Sequence, residues 1–168
     1  MANEAYTRTN QSLHFAAIAL EAWQQASDSI ALDARTQARY QSETCLFHLY
    51  RGVLALIHEV ADFYRWPLLD VREVEALLAD RRVEDFPGPE LGELLELAWR
   101  QDDWLAALLS AWKILLAPPV SGGQQAEPEL IVRVGGQPGS DWSVEYAGAA
   151  LRGLKSLVSR QRELMQEW

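Results

Sequence analysis

The sequence predicts an all-α protein, an up-and-down bundle of about five or six helices with a loop-rich insertion, and three observations lead to this prediction. Apolar residues recur at helical spacing over most of the chain. Connections between the early helical stretches are short, which favours antiparallel neighbours. Of the 168 residues, 49% are hydrophobic and seven are Trp, enough to fill one core. We therefore expect a single helical domain over residues 1–168, with a turn-rich insertion at 117–140.

The first two helices are the longest that the sequence predicts. Helical periodicity covers residues 4–27. The second helix begins near Asp33, a suitable N-cap residue, and ends at Trp66, because Pro67 disfavours helix at the residue before it. Both helices are apolar around most of their circumference, so we expect them to pack on several sides. Cys45 falls in the apolar arc and is expected to act as a small core residue.

Helix signals in the middle of the chain are capping residues and prolines. Asp70 and Glu73 resemble a capping box, which predicts a third helix over residues 70–82. Pro89 suits the first turn of the next helix, which covers 90–116. The polar cluster RQDD in the middle of that stretch can split it into two helices.

The last quarter of the chain combines loops, a strand signal and one helix. Gly and Pro are frequent in residues 117–140, but the β-branched residues at 130–134 favour a short strand. A final helix is predicted over 143–167, and its Gly148 and Gly153 permit close approach of a neighbouring helix.

The net charge of −9 is concentrated in one segment. Residues 70–103 contain eleven acids and four bases, which gives that segment a net charge of −7. A segment of this kind is either a docking surface for a basic protein partner or a solvated face that aids solubility. No basic cluster is visible along the chain, so the sequence argues against nucleic acid as a partner.

Location follows from hydropathy and cysteine content. No segment reaches the ~18 consecutive apolar residues of a membrane span. The first residues, MANEAYTRTNQ, lack the basic start and apolar stretch of a secretory signal. Cys45 is the only cysteine, which excludes an internal disulfide and favours a reducing compartment. We expect a cytoplasmic protein that does not enter a membrane.

The candidate site residues lie on narrow polar stripes of the first two helices. His48, Arg51, His58 and Glu59 fall on one edge of the second helix, and His14 lies on the polar edge of the first. If the two edges converge, these five residues form a cluster whose burial perturbs its pKa values, as in a catalytic site. If the edges point outward, they are ordinary solvated faces. The sequence leaves both arrangements open.

Other catalytic and ligand-binding motifs are missing from the sequence. No HxxxH or ExxH metal-binding pair occurs, and no GxSxG, Walker-type or GxGxxG motif is present. We therefore predict neither a metal ion nor a cofactor.

Two resemblances to known families add expectations. Arg51 and His58 are separated by six residues, a spacing that resembles the Arg-x4-6-His motif of the higher-eukaryote-and-prokaryote nucleotide-binding (HEPN) family. That resemblance implies a helical bundle and metal-independent RNA cleavage through the 2′-hydroxyl, assisted by these two residues. The segments NEAYTRTNQSLHFA and FHLYRGVLALIHEVADFYRW are similar in general character to small uncharacterised bacterial all-helical proteins of unknown function. This second resemblance implies no particular activity.

Two functional hypotheses remain open at this point. In the first, the protein is a non-catalytic interaction or regulatory module that self-associates as a homodimer or binds a basic protein. Its contact surface is then the acidic 70–103 segment or the 130–134 strand. In the second, it is a hydrolytic or nuclease-like enzyme that uses the His, Arg and Glu cluster between the first two helices.

Overall fold

The structure is a computed structural model that describes residues 2–79, 82–86, 88–118 and 142–166. Within these ranges every regular element is a helix, so the predicted all-α class is confirmed. The strand predicted at 130–134 lies outside the described residues. The helices in chain order are α1 (Ala2–Ser27), α2 (Ala34–Tyr64), α3 (Val74–Ala79), α4 (Arg82–Asp85), α5 (Pro89–Trp99), α6 (Trp104–Leu116) and α7 (Val144–Gln166).

Helices α1 and α2 form an antiparallel hairpin. Thr9, near the start of α1, donates its hydroxyl to Glu59, near the end of α2. Further along α1, the backbone carbonyl of Ala16 accepts the thiol of Cys45, which lies one-third of the way along α2. Between these two contacts Ser12 lies beside Gly52, where an added Cβ would approach the Ser12 Cβ to 3.6 Å. The helices therefore pack closely along much of their length.

The two ends of α2 differ from the prediction. Asp33 precedes the first helical residue as predicted, but its side chain makes no capping hydrogen bond. At the other end the helix stops at Tyr64 because Arg65 adopts a left-handed conformation with φ 59° and ψ 34°. The N–H of Trp66 then donates to the Ala61 carbonyl at 2.8 Å and satisfies one of the last free carbonyls.

Helix α3 begins four residues later than predicted. A side chain from α2 lies at the start of this helix. The hydroxyl of Tyr50 accepts the N–H of Val74 at 3.0 Å and donates to the carboxylate of Glu75 at 2.6 Å. A free N–H at the start of α3 is thus satisfied by the neighbouring helix.

The predicted division of residues 90–116 is confirmed. Pro89 occupies the first turn of α5, where its missing N–H is no loss. The polar cluster at 100–103 separates α5 from α6, and the Asp103 carboxylate accepts the Trp104 N–H at 2.8 Å as an N-cap.

Helix α7 closes the bundle against the hairpin and α6. Gly52 of α2 lies against Leu154, and Gly153 lies against the indole of Trp104 at the start of α6. Within the described residues, no helix is long and apolar enough to cross a membrane. The long helices share a core of fully or nearly fully buried side chains: Leu13, Leu20, Leu49, Val53, Leu56, Leu94, Leu105, Leu108, Leu154 and Leu157.

Candidate functional site

Two of the five candidate residues meet at one phenyl ring. The ring centroid of Phe15 on α1 lies 5.2 Å from that of His48 and 6.2 Å from that of His14. Phe47 approaches His48 from the other side, with ring centroids 5.1 Å apart and planes at 75°. The two histidines therefore border an aromatic cluster at the junction of α1 and α2.

Two further candidates lie progressively further from this cluster. Arg51 is near it, and one of its guanidinium nitrogens lies 3.5 Å from the side-chain oxygen of Gln11. His58 is ten residues beyond His48, about 15 Å along the helix, and its Nε2 lies 2.8 Å from the carbonyl oxygen of Val71.

Glu59 is part of a separate, buried ion pair. Its side chain is 8% exposed and accepts two hydrogen bonds from Arg162 of α7, at 2.7 and 3.0 Å. It also accepts the hydroxyl of Thr9 at 2.7 Å. The same guanidinium donates to Asn10 at 2.9 Å and lies 3.8 Å above the ring of Tyr6. This arrangement fastens α1, α2 and α7 together, because every polar atom of the pair has a partner on another helix.

Burial sets the protonation of the histidines on α2. It lowers the pKa of His48, and the positive charge of Arg51 lowers it further. Burial also lowers the pKa of His58, against the opposing effect of the hydrogen bond to Val71. Both imidazoles are therefore neutral at neutral pH.

Cys45 is confirmed as a core residue. Its side chain is completely buried, and burial raises the pKa of the thiol to about 12. A thiol in this state cannot act as a nucleophile at neutral pH, because the thiolate is the reactive form.

A second buried polar cluster links α2, α5 and α7. The hydroxyl of Tyr64 donates to Glu90 at 2.9 Å, and the Gln161 amide donates to the backbone carbonyl of Glu90 at 3.1 Å. The other carboxylate oxygen of Glu90 and the side-chain oxygen of Gln161 are buried, and neither has a hydrogen-bond partner in the part of the chain that the structure describes. No three His, Cys, Asp or Glu side chains among the described residues are placed to hold a metal ion together.

An apolar surface lies beside His48. We call it the aromatic face, and it spans α1, α2 and α6. Ile18, Tyr40 and Phe47 are 53%, 62% and 47% exposed. The rings of Phe47 and Trp112 lie 6.3 Å apart, and Trp112 stacks on Tyr50 at 4.2 Å. The aromatic face consists of Phe15, Ile18, Tyr40, Phe47, His48 and Trp112.

The sequence prediction did not include this face, because it expected both long helices to pack on several sides. The signal that could have found the face is the width of the apolar arcs. A helix that is apolar almost all round needs neighbours on every side, and the remaining helices cover only part of the hairpin.

Comparison with known proteins gives a family without an activity. The model of DUF6586, a family of unknown function, matches residues 1–168, and the chain belongs to that family. No curated protein and no solved structure matches the chain.

Proposed function

We propose that this member of a family of unknown function is a non-catalytic interaction module that forms a homodimer through the aromatic face. The observation that carries the proposal is a surface of exposed apolar side chains on α1 and α2, which the partly buried Trp112 extends to α6. Phe15 and Phe47 contact the same imidazole, that of His48, and Phe47 continues to Trp112. A contiguous patch of this kind is a mark of a protein interface, whereas single exposed apolar residues are ordinary.

Covering this face releases free energy in proportion to its apolar area. Full burial of a large apolar side chain contributes about 1.5–3 kcal/mol relative to its exposed state. Ile18, Tyr40 and Phe47 are each about half exposed, so covering each of them contributes about half of that increment, and a symmetric dimer covers each residue twice. Aromatic side chains are also enriched among the residues that dominate interface energies.

Charge disfavours a basic partner at this face. Arg51 on α2 and Lys113, which follows Trp112 on α6, border it. Basic groups at the border repel a basic partner. A second copy of the chain brings an identical apolar surface, so the attraction between two copies comes from the apolar side chains that each covers on the other.

The acidic segment 70–103 supports the alternative of a basic protein partner less well. Several of its carboxylates already have partners within the fold. Glu75 accepts from Tyr50, Glu90 from Tyr64 and Asp103 from the Trp104 N–H, while Glu93 and Glu96 pair with arginines. Fewer acids are then left to meet a partner than the sequence alone indicates.

The enzyme alternative has less support than association. It requires His14, His48, Arg51, His58 and Glu59 to act in one cleft. Glu59 is saturated by Arg162 and Thr9, and His58 lies about 15 Å along the helix from His48. RNA cleavage by Arg51 and His58 also requires an anionic substrate to approach a chain of net charge −9. We therefore prefer a role without catalysis.

We also propose that the chain folds as one helical domain and that the protein is located in the cytoplasm. A single cysteine, fully buried and unpaired, fits a reducing compartment. Contacts that join α1, α2 and α7, such as the pair of Glu59 and Arg162, fit one cooperative unit.

Sedimentation velocity of matched phenylalanine variants tests the proposed dimer. Phe47 and Phe63 lie on the same helix and are 47% and 45% exposed, but only Phe47 belongs to the aromatic face. We expect the wild-type chain to sediment as a dimer at micromolar concentration. Phe47→Ser shifts it to monomer, and Phe63→Ser leaves the dimer intact. A wild-type monomer, or equal effects of the two variants, contradicts the proposal.

A further inference from the structure

We propose that His48 makes the association of two copies sensitive to acid, because only its neutral form fits beneath a covering surface. This inference rests on the proposed dimer and assigns a regulatory role to a residue of the same face. It follows from where the imidazole lies and from what surrounds it.

The geometry leaves one imidazole nitrogen without a hydrogen-bond partner among the described residues. This nitrogen, His48 Nδ1, is buried. The rings of Phe15 and Phe47 flank the imidazole edge-on, with interplanar angles of 67° and 75°. A neutral imidazole can hold a bare lone pair here at modest cost. A protonated one places a charged N–H donor where no protein acceptor lies.

The charged groups around His48 do not offset a positive charge there. On α1 the titratable neighbour is His14, whose ring lies 6.2 Å from that of Phe15 and which offers no negative charge. On α2 it is Arg51, and on α6 it is Lys113, one residue beyond Trp112. The carboxylate of Glu43 lies five residues earlier on α2, where it is paired at 3.1 Å with an arginine of the same helix.

The direction of the pH effect follows from burial. In the single chain, burial and Arg51 already lower the pKa of His48. A second copy that covers the face removes more water and lowers this pKa further. The dimer therefore binds protons less readily than the monomer. Association is strongest above the pKa of His48 in the monomer and weakens as the pH falls below it.

The size of the effect is set by the number of coupled protons. A symmetric dimer contains two copies of His48, one from each chain. Each excluded proton changes the dissociation constant by up to tenfold per pH unit, so two change it by up to about a hundredfold per unit.

Sedimentation equilibrium across pH tests the role of His48. We expect the dissociation constant of the wild-type dimer to rise at least tenfold from about pH 7.5 to about pH 5. His48→Gln keeps a neutral polar side chain and is expected to dimerise with little dependence on pH. His14→Gln is the matched control, because His14 touches the same phenyl ring, and it retains the wild-type pH dependence. Helical circular dichroism at each pH confirms that the chain stays folded.

The outcomes separate this inference from the dimer itself. A dimer that resists acid, or one whose acid sensitivity survives His48→Gln, overturns the role of His48 and leaves self-association standing. A monomer at every pH overturns both.

A second measurement covers the case in which His48→Gln weakens the dimer at neutral pH. The ring-proton resonance of His48 in the wild-type chain is followed through a pH titration at one protein concentration above the dissociation constant and at one below it. A lower titration midpoint at high concentration supports the inference, and identical midpoints overturn it.

Discussion

Removing the guanidinium of Arg162 is the most informative test of how the bundle is held together. This side chain makes two hydrogen bonds to Glu59, one to Asn10 and a ring contact with Tyr6. Arg162→Met keeps most of the apolar stem of the side chain but removes its charge. The carboxylate of Glu59 is then left at the junction of three helices with only the hydroxyl of Thr9 as a partner.

The expected loss of stability follows from the burial of both charges. Breaking a buried ion pair by removing one partner costs about 3–5 kcal/mol, because the other charge stays buried and unpaired. Arg162 retains some exposure, with 18% of its side chain accessible, so the lower half of that range applies. Replacing both partners, as in Glu59→Leu with Arg162→Met, removes the unpaired charge and is expected to recover much of the loss.

Urea denaturation measures this effect, and α7 offers a matched control. Arg160 also pairs with a glutamate, Glu93, but at the surface. Arg160→Met is therefore expected to lower the free energy of unfolding by less than about 1 kcal/mol. We expect Arg162→Met to lower it by about 3 kcal/mol with an unchanged denaturant slope. Equal losses in the two variants would refute the structural role of the buried pair.

Two further predictions concern packing and a buried hydrogen bond. Gly153→Ala is expected to lower stability by about 1–3 kcal/mol, because its Cβ would lie 2.5 Å from the indole of Trp104. Gly92→Ala on α5 is expected to raise stability by about 1 kcal/mol, because no described atom lies within 4 Å of the added Cβ. Urea denaturation measures both changes in the free energy of unfolding, and changes of the same sign contradict this prediction. Tyr64→Phe removes a hydrogen bond to the buried carboxylate of Glu90 and is expected to cost about 1–3 kcal/mol. An unchanged thermal midpoint contradicts that expectation.

Helix positions were predictable from sequence wherever a local signal sets them. Pro89 and Asp103 act on the backbone directly beside them, and both boundaries lie where the sequence places them. The end of α2 was predicted within two residues, since Pro67 limits how far the helix can continue.

Boundaries that depend on distant residues were not predictable. Helix α3 starts at Val74 because a tyrosine 24 residues earlier accepts its N–H. Local capping residues are present at Asp70 and Glu73, but the position of Tyr50 decides the outcome. Nothing in the local sequence reveals that contact.

The candidate site was predictable only in part for the same reason. The rings of His14 and His48 both lie near the ring of Phe15, as they could if the two polar edges converge. Glu59 lies on the same stripe, but its partner is Arg162, 103 residues away in the chain. Periodicity gives the face of one helix and does not show which residues of another helix oppose it.

Hydroxyl-radical footprinting over a range of protein concentrations tests the proposed interface most directly, because it measures the solvent exposure of individual side chains. We predict that Phe15, Phe47 and His48 lose reactivity together as the concentration rises, whereas Phe63 and Trp99, which are exposed outside the aromatic face, keep theirs. Unchanged reactivity at Phe47, or a loss confined to Trp99, would contradict the claim that two copies meet through the aromatic face.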